Sequence, residues 1–342
     1  VISPWNFPAA IAIGMTSAAL AAGNTVILKP AGQSPWIAYK MCELFWNQDL
    51  PDGVLNFMTG SGAVVGARVV EHPQTRFIAF TGSKEVGLDI FSKASQVPPG
   101  QKWLKRTVLE MGGKDAVVVD ETADAEAAAQ GIVASAFGFQ GQKCSAGSRA
   151  IIVDAIYDRV VDRVVELSSK LTVGAPDAGL HVDIGPVVDK SAMQKIMEYM
   201  EIGTQEGELL LGGGPVETPE GGFFLQPTIF GDVAPDARIA QEEIFGPVLA
   251  CIRARDFDDA LDIANGTEYG LTGAVFSSDR ERLERARREY HVGNLYLNRK
   301  CTGALVGVHP FGGFNMSGTD SKAGGPDYLL LFTQAKSVAE RL

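Results

Sequence analysis

The sequence predicts an α/β fold with two open, mostly parallel sheets. Short apolar runs alternate along the chain with helices that are amphipathic or rich in small residues, which is the pattern of parallel βα units. A second βα series begins near residue 151. The 342 residues are enough for two domains of ordinary size, so we expect one sheet in each half.

The first half of the chain has the clearest alternation. Pro8 can occupy the first turn of a helix over residues 9–22. Residues 26–30 form a buried strand that ends at Lys29 and is broken by proline. The pattern then predicts a helix at 34–46, strands at 54–58, 77–80, 105–109 and 116–119, and further helices opening at 59–66 and after 81–87.

In the second half, a helix over residues 124–139 leads to Cys144. The apolar patterns predict strands at 151–154, 248–252 and 293–298 and helices at 157–171, 191–207, 257–265 and 280–290. Residues 212–214 and 219–222 are predicted loop tips because of their glycines. We find no internal repeat or low-complexity tract.

Composition and charge exclude several classes of partner. Apolar residues at 46% and charged residues at 21% are typical of a soluble globular protein. A net charge of −11 would repel a phosphate backbone, and no basic stripe carries interleaved aromatics, so we expect no nucleic-acid partner. The longest low-polarity run, 9–22, is shorter than the ~18 residues that indicate a membrane span.

The cysteines and histidines restrict the chemistry further. The four cysteines lie far apart and form no CxxC pair, so neither a metal site nor a disulfide framework is predicted. Free thiols fit a reducing compartment, the cytoplasm, or the mitochondrial matrix in a eukaryote. Only four histidines occur and none forms an HExxH pair, so we expect any general base to be a carboxylate.

Cys144 is the candidate nucleophile. Gly141 and Ser145 are small neighbours that leave room for a substrate. Lys143 and Arg149 are close in sequence, and nearby cations lower the pKa of a thiol and favour the reactive thiolate. A lone cysteine can equally be a small buried hydrophobe, so this stretch alone leaves both interpretations open.

Three strand ends carry the other candidates. Lys29 ends a strand, where open α/β sheets bind ligands, although an edge lysine can also be simply solvated. Residues 81–83 join a strand to a helix N-terminus that could hold a pyrophosphate, whereas the glycines of 59–66 do not follow GxGxxG and are a weak dinucleotide signal. Glu110 lies between an apolar strand and a double glycine, so we expect burial to raise its pKa toward that of a useful base.

Six motifs together resemble the aldehyde dehydrogenase superfamily, in the family's order and across the whole chain. The motifs are Ser3-Pro4-Trp5-Asn6-Phe7-Pro8, Leu28-Lys29-Pro30, Phe80-Thr81-Gly82-Ser83, Glu110-Met111-Gly112-Gly113-Lys114, Gly141-Gln142-Lys143-Cys144 and Glu242-Glu243-Ile244-Phe245-Gly246-Pro247. The resemblance implies a Rossmann-type cofactor domain (1–110), an open α/β catalytic domain (111–309) and a tail (310–342) that returns to the cofactor domain or an oligomer interface. It also implies that roughly the first third of a typical member precedes this sequence, and that the protein is a homo-oligomer.

The resemblance assigns catalytic roles. Cys144 would attack the aldehyde carbon, and the Asn6 amide with the Cys144 backbone N–H would stabilise the oxyanion. Hydride would pass to a nicotinamide, leaving a thioester. Glu110 would activate the water that hydrolyses the thioester.

The resemblance also implies NAD as cofactor. Lys29 and Ser83 would hold the adenine ribose and the pyrophosphate, Glu243 would bind the nicotinamide ribose, and Phe245 would pack beside the ring. Further contacts are expected from Ile2, Pro4, Trp5, Gly32 and Gly82. Many NAD-preferring members have a glutamate where this chain has Gly32, so we expect NADP to be accepted as well, with NAD preferred.

Within the superfamily, stretches 137–146, 298–307 and 310–314 resemble the 1-pyrroline-5-carboxylate dehydrogenases, which oxidise L-glutamate γ-semialdehyde to glutamate in proline breakdown. In that subfamily a serine after the catalytic cysteine and the amides of a Gly-Ala loop hold the substrate carboxylate, and two aromatic residues enclose the aliphatic chain. The matching residues are Ser145, Gly303, Ala304, Phe7 and Phe311.

Other functions remain open from the sequence. A dehydrogenase of another small aliphatic or carboxylated aldehyde would share the same motifs. A thiol esterase or hydrolase would use Cys144 without redox chemistry, and an inactive fragment would only bind partners. The presence of Cys144, Glu110 and Asn6 together argues against an inactive chain.

Overall fold

Parallel strands and the helices between them form two units in the computed structural model, which describes residues 1–177, 179, 181–218 and 221–342. Unit 1 is Val1–Met111 with Ala304–Gly312 and Gly318–Leu342, and unit 2 is Gly112–Gly303 with Gly313–Ser317. The division after residue 303 differs from the predicted boundary at 309/310. Phe311 pairs with Ala323 within unit 1 and Asn315 pairs with Tyr269 within unit 2, so the residues on either side of Gly312 belong to different units. The predicted loop tip at 219–222 lies partly outside the described residues.

Unit 1 alternates short strands with helices. Its elements are α1 (Ala10–Ala21), β1 (Val26–Leu28), α2 (Pro35–Trp46), β2 (Leu55–Phe57), α3 (Ala67–Glu71), β3 (Phe77–Thr81), α4 (Lys84–Ala94) and β4 (Arg106–Glu110). Proline at the first position of α2 and the Ser83 side chain, which accepts from the Val86 N–H, fix two helix starts. The run 59–66 forms a single wide turn, Gly62–Gly66, ahead of the short α3.

Residues 1–3 form a strand-like segment where the sequence indicated only a turn beginning at Ser3. Ile2 makes parallel bridges to both Lys29 and Phe80. Its N–H donates to the Ala79 carbonyl at 2.8 Å, and the Lys29 N–H donates to the Val1 carbonyl at 2.9 Å. Since β1–β2 and β3–β4 are also parallel, the order is β2, β1, segment 1–3, β3, β4. All carboxyl ends therefore lie along one edge of unit 1.

Unit 2 contains a seven-stranded sheet. Its elements are β5 (Asp115–Val119), α5 (Ala125–Phe137), β6 (Gly147–Val153), α6 (Tyr157–Ser168), α7 (Lys190–Glu206), β7 (Glu208–Leu211), β8 (Thr228–Gly231), α8 (Arg238–Gln241), β9 (Val248–Ala254), α9 (Phe257–Asn265), β10 (Tyr269–Gly270), β11 (Thr272–Phe276), α10 (Arg280–Glu289), β12 (Asn294–Leu297) and β13 (Phe314–Asn315). The order is β12-β11-β5-β6-β9-β8-β7. Among the described strands of this sheet, the edge strand β7 pairs antiparallel with β8 and the other pairs are parallel.

Three strands of this sheet, β7, β8 and β11, have no counterpart in the sequence prediction. β11 is buried at every residue, yet Thr272 and Gly273 interrupt its apolar run. Gly273 is required there, because a Cβ atom would lie 2.4 Å from the Tyr290 ring. The apolar run of β11 is too short to predict a strand from the sequence, because its burial on both faces depends on packing with distant segments.

Alternate side chains of the central strands enter two separate cores. Ile151 packs with residues of α7, α9 and α10, whereas its neighbour Ile152 packs with residues of α5 and α6. This alternation is the twofold period of a strand with helices on both faces. No helix among the described residues is both long enough and apolar enough to cross a membrane.

We predict that Gly131→Ala destabilises the protein by about 1–3 kcal/mol, because a Cβ atom at this position of α5 would lie 2.4 Å from the Phe276 ring. Gly14→Ala in α1 is the matched control: nothing lies within 4 Å of its Cβ position, so better helix propensity should stabilise by about 0.5–1 kcal/mol. Urea titration followed by circular dichroism measures both. Equal effects of the two substitutions would contradict the packing argument.

Candidate functional site

The loop before β6 contains strained backbone and leads to Cys144. After α5, Phe139 and Gln140 adopt left-handed conformations with φ of 59° and 57°, and Gly141 follows with φ of 65°. Each left-handed non-glycine residue costs on the order of 1–3 kcal/mol, and such strain is concentrated at functional sites. Cys144 then lies just ahead of the amino end of β6.

Two glycines allow other backbone segments to approach this loop. A Cβ atom on Gly113 would lie 2.6 Å from the Cys144 carbonyl oxygen. A Cβ atom on Gly141 would lie 2.2 Å from the Gly246 carbonyl oxygen. The segments around Gly113, Cys144 and Gly246 therefore meet at distances that no side chain would permit.

The accessibility of the four thiols separates Cys144 from the others, and all four lie in the described part of the chain. Cys144 is half-buried, whereas Cys42, Cys251 and Cys301 are buried. Burial raises the pKa of these three thiols to about 11, 12 and 12, respectively, so they remain protonated and unreactive near neutral pH.

Of the two predicted cations, Lys143 interacts electrostatically with Cys144, whereas the donors of Arg149 bind other groups. Burial lowers the pKa of Lys143 and nearby Lys300 lowers it further, while Cys301 and Cys144 act in the opposite direction. The fully buried Arg149 instead donates to the carbonyls of Lys114, Ile263 and Ala264 at 2.9–3.1 Å. The expectation that Arg149 activates the thiol is thus wrong: its donors bind carbonyls at the end of α9 and at the turn before β5.

Glu243 lies against the double glycine of unit 2. The Gly113 N–H donates to its Oε1 at 3.1 Å, and a Cβ atom on Gly112 would lie 2.2 Å from its Oε2. Lys195 Nζ donates to the Glu243 carbonyl at 2.9 Å. Phe245 follows with φ of 61°, a third left-handed non-glycine residue in this region after Phe139 and Gln140. The Glu243 carboxylate and the backbone of Cys144 therefore both lie against the pair Gly112 and Gly113.

Lys114 adds a buried amine beside Glu243. It is 1% exposed. Burial is the main cause that lowers its pKa to about 7, Arg149 lowers it further, and Glu243 raises it. Near neutral pH this side chain therefore exchanges readily between its charged and neutral forms.

The carboxyl edge of unit 1 holds most of the predicted cofactor residues. Lys29, Gly32 and Pro35 line a cleft of about 290 Å³ together with residues 59–62, whose glycines were a weak signal in the sequence. Lys29 is 6% exposed; burial lowers its pKa, and its Nζ donates to the Pro30 carbonyl at 3.2 Å. Ile2, Pro4 and Trp5 lie on or just after segment 1–3 at the same edge.

Gly82 and Ser83 follow the end of β3 at Thr81. A Cβ atom on Gly82 would lie 2.4 Å from the Phe80 ring, so glycine is required for the turn. Ser83 is the N-cap of the eleven-residue α4, which leaves backbone N–H groups and a positive dipole at this edge.

Asn6 and Glu110 also belong to unit 1. Asn6 follows segment 1–3 and is 8% exposed. Glu110 is the last residue of β4 and is half-buried, between the buried Leu109 and Met111, so its burial is less complete than expected. Ser321 Oγ donates to Glu110 Oε1.

The predicted substrate residues are divided between the units. Gly303, with φ of 81°, and Ser145 are in unit 2, whereas Ala304, Phe7 and Phe311 are in unit 1. Phe7 is 37% exposed. Gly303 has only the ends of the Lys300 and Arg299 side chains near its Cβ position.

Sequence reasoning missed Lys195 and Ser321 as residues that contact the candidate site. Neither belongs to a motif, and each reaches its partner from a segment 48 or 211 residues away. No group of three or more His, Cys, Asp or Glu side chains suited to a metal ion occurs among the described residues.

Comparison with known proteins decides the family. The model of the aldehyde dehydrogenase family matches residues 1–338. The chain belongs to the aldehyde dehydrogenase family. Its fold is the aldehyde dehydrogenase fold, mixed α/β with a large parallel sheet.

Several members of the family are closely similar to this chain. The 1-pyrroline-5-carboxylate dehydrogenase of Geobacillus thermodenitrificans is 64% identical over 340 residues, which cover 99% of this chain and 65% of that protein. A mutant of Thermus thermophilus 1-pyrroline-5-carboxylate dehydrogenase superposes with a TM-score of 0.97 at 56% identity, covering 100% of this chain and 65% of that one. The Thermus enzyme with bound NAD gives 0.96 at 55% identity, with coverage of 100% and 66%. The chain thus spans about two thirds of the length of these family members.

Proposed function

We propose that the protein oxidises L-glutamate γ-semialdehyde, the open form of 1-pyrroline-5-carboxylate, to L-glutamate with NAD. The observation that carries this proposal is the strained loop that presents a half-buried Cys144 thiol beside a buried Ser145. The relatives named 1-pyrroline-5-carboxylate dehydrogenase at 64% identity support the substrate.

Catalysis begins with Cys144. Its thiolate adds to the aldehyde carbon, and the Asn6 amide and the Cys144 N–H bind the oxyanion that forms. NAD, when bound, supplies the hydride acceptor. Loss of hydride from the tetrahedral adduct leaves the acyl group on Cys144 as a thioester.

Glu110 acts in the second half of the reaction. Its carboxylate takes a proton from water while the water oxygen attacks the thioester carbon. The C–S bond breaks, L-glutamate leaves, and the Cys144 thiolate is regenerated.

The residues present fit NAD. The cleft beside Lys29 and Gly32 suits an adenosine ribose, because the buried Lys29 lines it together with the glycines Gly32, Gly60 and Gly62. Ser83 and the first N–H groups of α4 suit a pyrophosphate. Glu243 provides a carboxylate for ribose hydroxyls and Phe245 an apolar ring, with further contacts from Ile2, Pro4, Trp5 and Gly82.

The substrate carboxylate is proposed to bind Ser145 and the amides of Gly303 and Ala304, with Phe7 and Phe311 enclosing the aliphatic chain. The protein is also proposed to be a homo-oligomer. The exposed Val86, Leu88 and Phe91 side chains of α4, at 43–56% exposure, support an apolar interface on unit 1.

We predict that Cys144→Ala abolishes dehydrogenase activity of the whole protein, whereas Glu110→Gln allows acylation and slows thioester hydrolysis by about 10²–10⁴-fold. Stopped-flow absorbance of NADH should show a burst followed by slow turnover for Glu110→Gln. Cys251→Ala is the matched control, since this thiol is buried and protonated. Normal turnover of Cys144→Ala would contradict the assignment of the nucleophile.

Gly32→Glu should weaken the use of NADP more than that of NAD. The position is exposed and nothing lies within 4 Å of its Cβ position, so glutamate fits without strain. Because solvent screens the charges, we expect repulsion of a 2′-phosphate of about 1–2 kcal/mol, or roughly five- to thirtyfold in kcat/KM. The control is Gly32→Gln, which has similar size and no charge. Unchanged NADP kinetics in Gly32→Glu would exclude this cleft as the ribose site.

Ser145→Ala should lower kcat/KM for L-glutamate γ-semialdehyde by about ten- to a hundredfold, because a buried carboxylate loses a hydrogen-bond donor. Propionaldehyde lacks the carboxylate, so its oxidation should change little. Gly303→Val should likewise impair the first substrate, since φ of 81° strains a β-branched residue and displaces the loop amides. Equal losses on both substrates would instead favour a dehydrogenase of general aliphatic aldehydes.

A further inference from the structure

The segment of residues 318–323, which we call the tail segment, is fixed against the end of β4 inside unit 1. Gly318 makes an antiparallel bridge to Glu110. The Thr319 N–H donates to the Leu109 carbonyl at 3.0 Å, and the Leu109 N–H donates to Thr319 Oγ1 at 3.1 Å. Thr319 therefore sets the register of the tail segment relative to Glu110.

A second set of contacts fixes the other end of the tail segment. Phe311 and Ala323 exchange two backbone hydrogen bonds of 3.0 and 2.7 Å. Lys322 Nζ donates to the Gly312 carbonyl. A Cβ atom on Gly312 would lie 1.7 Å from the Ser321 carbonyl oxygen and 3.1 Å from Glu110 Oε1, so only glycine permits this approach.

These contacts place Ser321 directly at the Glu110 carboxylate. Ser321 is 5% exposed, and its hydroxyl donates to Glu110 Oε1. A buried hydroxyl needs a hydrogen-bond partner, and a donor to an ionised oxygen forms one of the stronger hydrogen bonds in proteins. The backbone at both ends of the tail segment is fixed, so the hydroxyl reaches Oε1 from a rigid position.

Two titratable groups face the same carboxylate within unit 1. Burial lowers the pKa of the half-buried Lys322, and Glu110 and Asp320 act against this shift. Burial also raises the pKa of Tyr328 to about 12, with a further contribution from Glu110, so the phenol stays protonated. A cation and a neutral phenol thus lie near Glu110, together with the Ser321 donor.

We propose that Ser321 is a positioning residue for Glu110: its hydroxyl holds the carboxylate in one orientation and stabilises its ionised form before thioester hydrolysis. Lys322 is a nearby cation and also favours the ionised form of Glu110. The inference rests on the proposed role of Glu110 as the base. Its consequence is that turnover limited by hydrolysis persists to lower pH than it would without the serine.

The test measures the burst and the steady-state rate of NADH formation by the whole protein between pH 5 and 9. Removing a donor to an ionised carboxylate raises the pKa of the carboxyl group, so Ser321→Ala should move the acid limb of steady-state turnover upward by about one pH unit. The burst rate, which reports acylation, should change less than twofold. Ser321→Thr should restore the wild-type profile because it keeps the hydroxyl.

Two controls separate the possible outcomes. Ser95→Ala removes an exposed serine of unit 1 whose hydroxyl donates to the Ser92 carbonyl, and it should leave the profile unchanged. Lys322→Met should shift the acid limb in the same direction as Ser321→Ala, and Lys322→Arg should not. If Ser321→Ala does not fold, Ser321→Cys replaces it, since it keeps the volume with only a weak donor.

An acid limb in Ser321→Ala identical to that of the wild type, with native circular dichroism, would overturn the proposal. A Glu110→Gln variant assayed in parallel distinguishes this result from failure of the proposed function. If Glu110→Gln shows a burst and slow turnover while Ser321→Ala keeps the wild-type profile, only the positioning role is wrong. If Glu110→Gln turns over normally, the assignment of the base is wrong.

Discussion

Close backbone contact at Gly112 and Gly113 is the constraint on which the site of unit 2 depends. A Cβ atom on Gly113 would lie 2.6 Å from the Cys144 carbonyl oxygen, which is too close for any side chain, and one on Gly112 would lie 2.2 Å from the Glu243 carboxylate, which would have to move. Two segments far apart in sequence can therefore meet at one turn. Arg149, which donates to the Lys114 carbonyl at 2.9 Å, fixes the end of this turn. The loop that carries Cys144 can approach this turn because Gly113 has no Cβ atom.

The same turn also brings buried titratable groups close together, and burial changes their pKa values. Lys114, Asp115 and Arg149 are each at most 3% exposed. Burial lowers the pKa of Lys114 to about 7 and raises that of Asp115 well above its ordinary value, although the Thr272 N–H donates to Asp115 at 2.7 Å and partly offsets the second shift. Burial therefore favours the neutral forms of Lys114 and Asp115, while the guanidinium donates to three carbonyls. Hydrogen bonds with backbone groups offset the cost of burying Arg149 and, in part, that of burying Asp115.

In unit 1 the candidate site depends on the alignment of several strand ends. Parallel pairing of segment 1–3 with β1 and β3 brings Asn6, Lys29 and Ser83 to one edge, since parallel strands share a direction. Glu110 ends the neighbouring strand and is held from the side by the tail segment, through Thr319 and Ser321. The edge is thus built partly from residues about 200 positions further along the chain. A change in the tail segment can alter the surroundings of Glu110 without touching the strand that carries it.

The sequence by itself determined the α/β class, the helix over 257–265, which the structure reproduces as α9, and the motifs around Cys144 and Glu110. These features depend on local periodicity, on capping residues and on short runs whose chemistry is visible in the residue types. Only the tertiary structure decided that segment 1–3 joins a sheet, that β11 is a buried strand, that Arg149 binds carbonyls instead of activating the thiol, and that Ser321 contacts Glu110. Each of these depends on pairing, close packing or burial between residues far apart in sequence. No local pattern encodes such contacts, because their free energy arises only when the distant segments have come together.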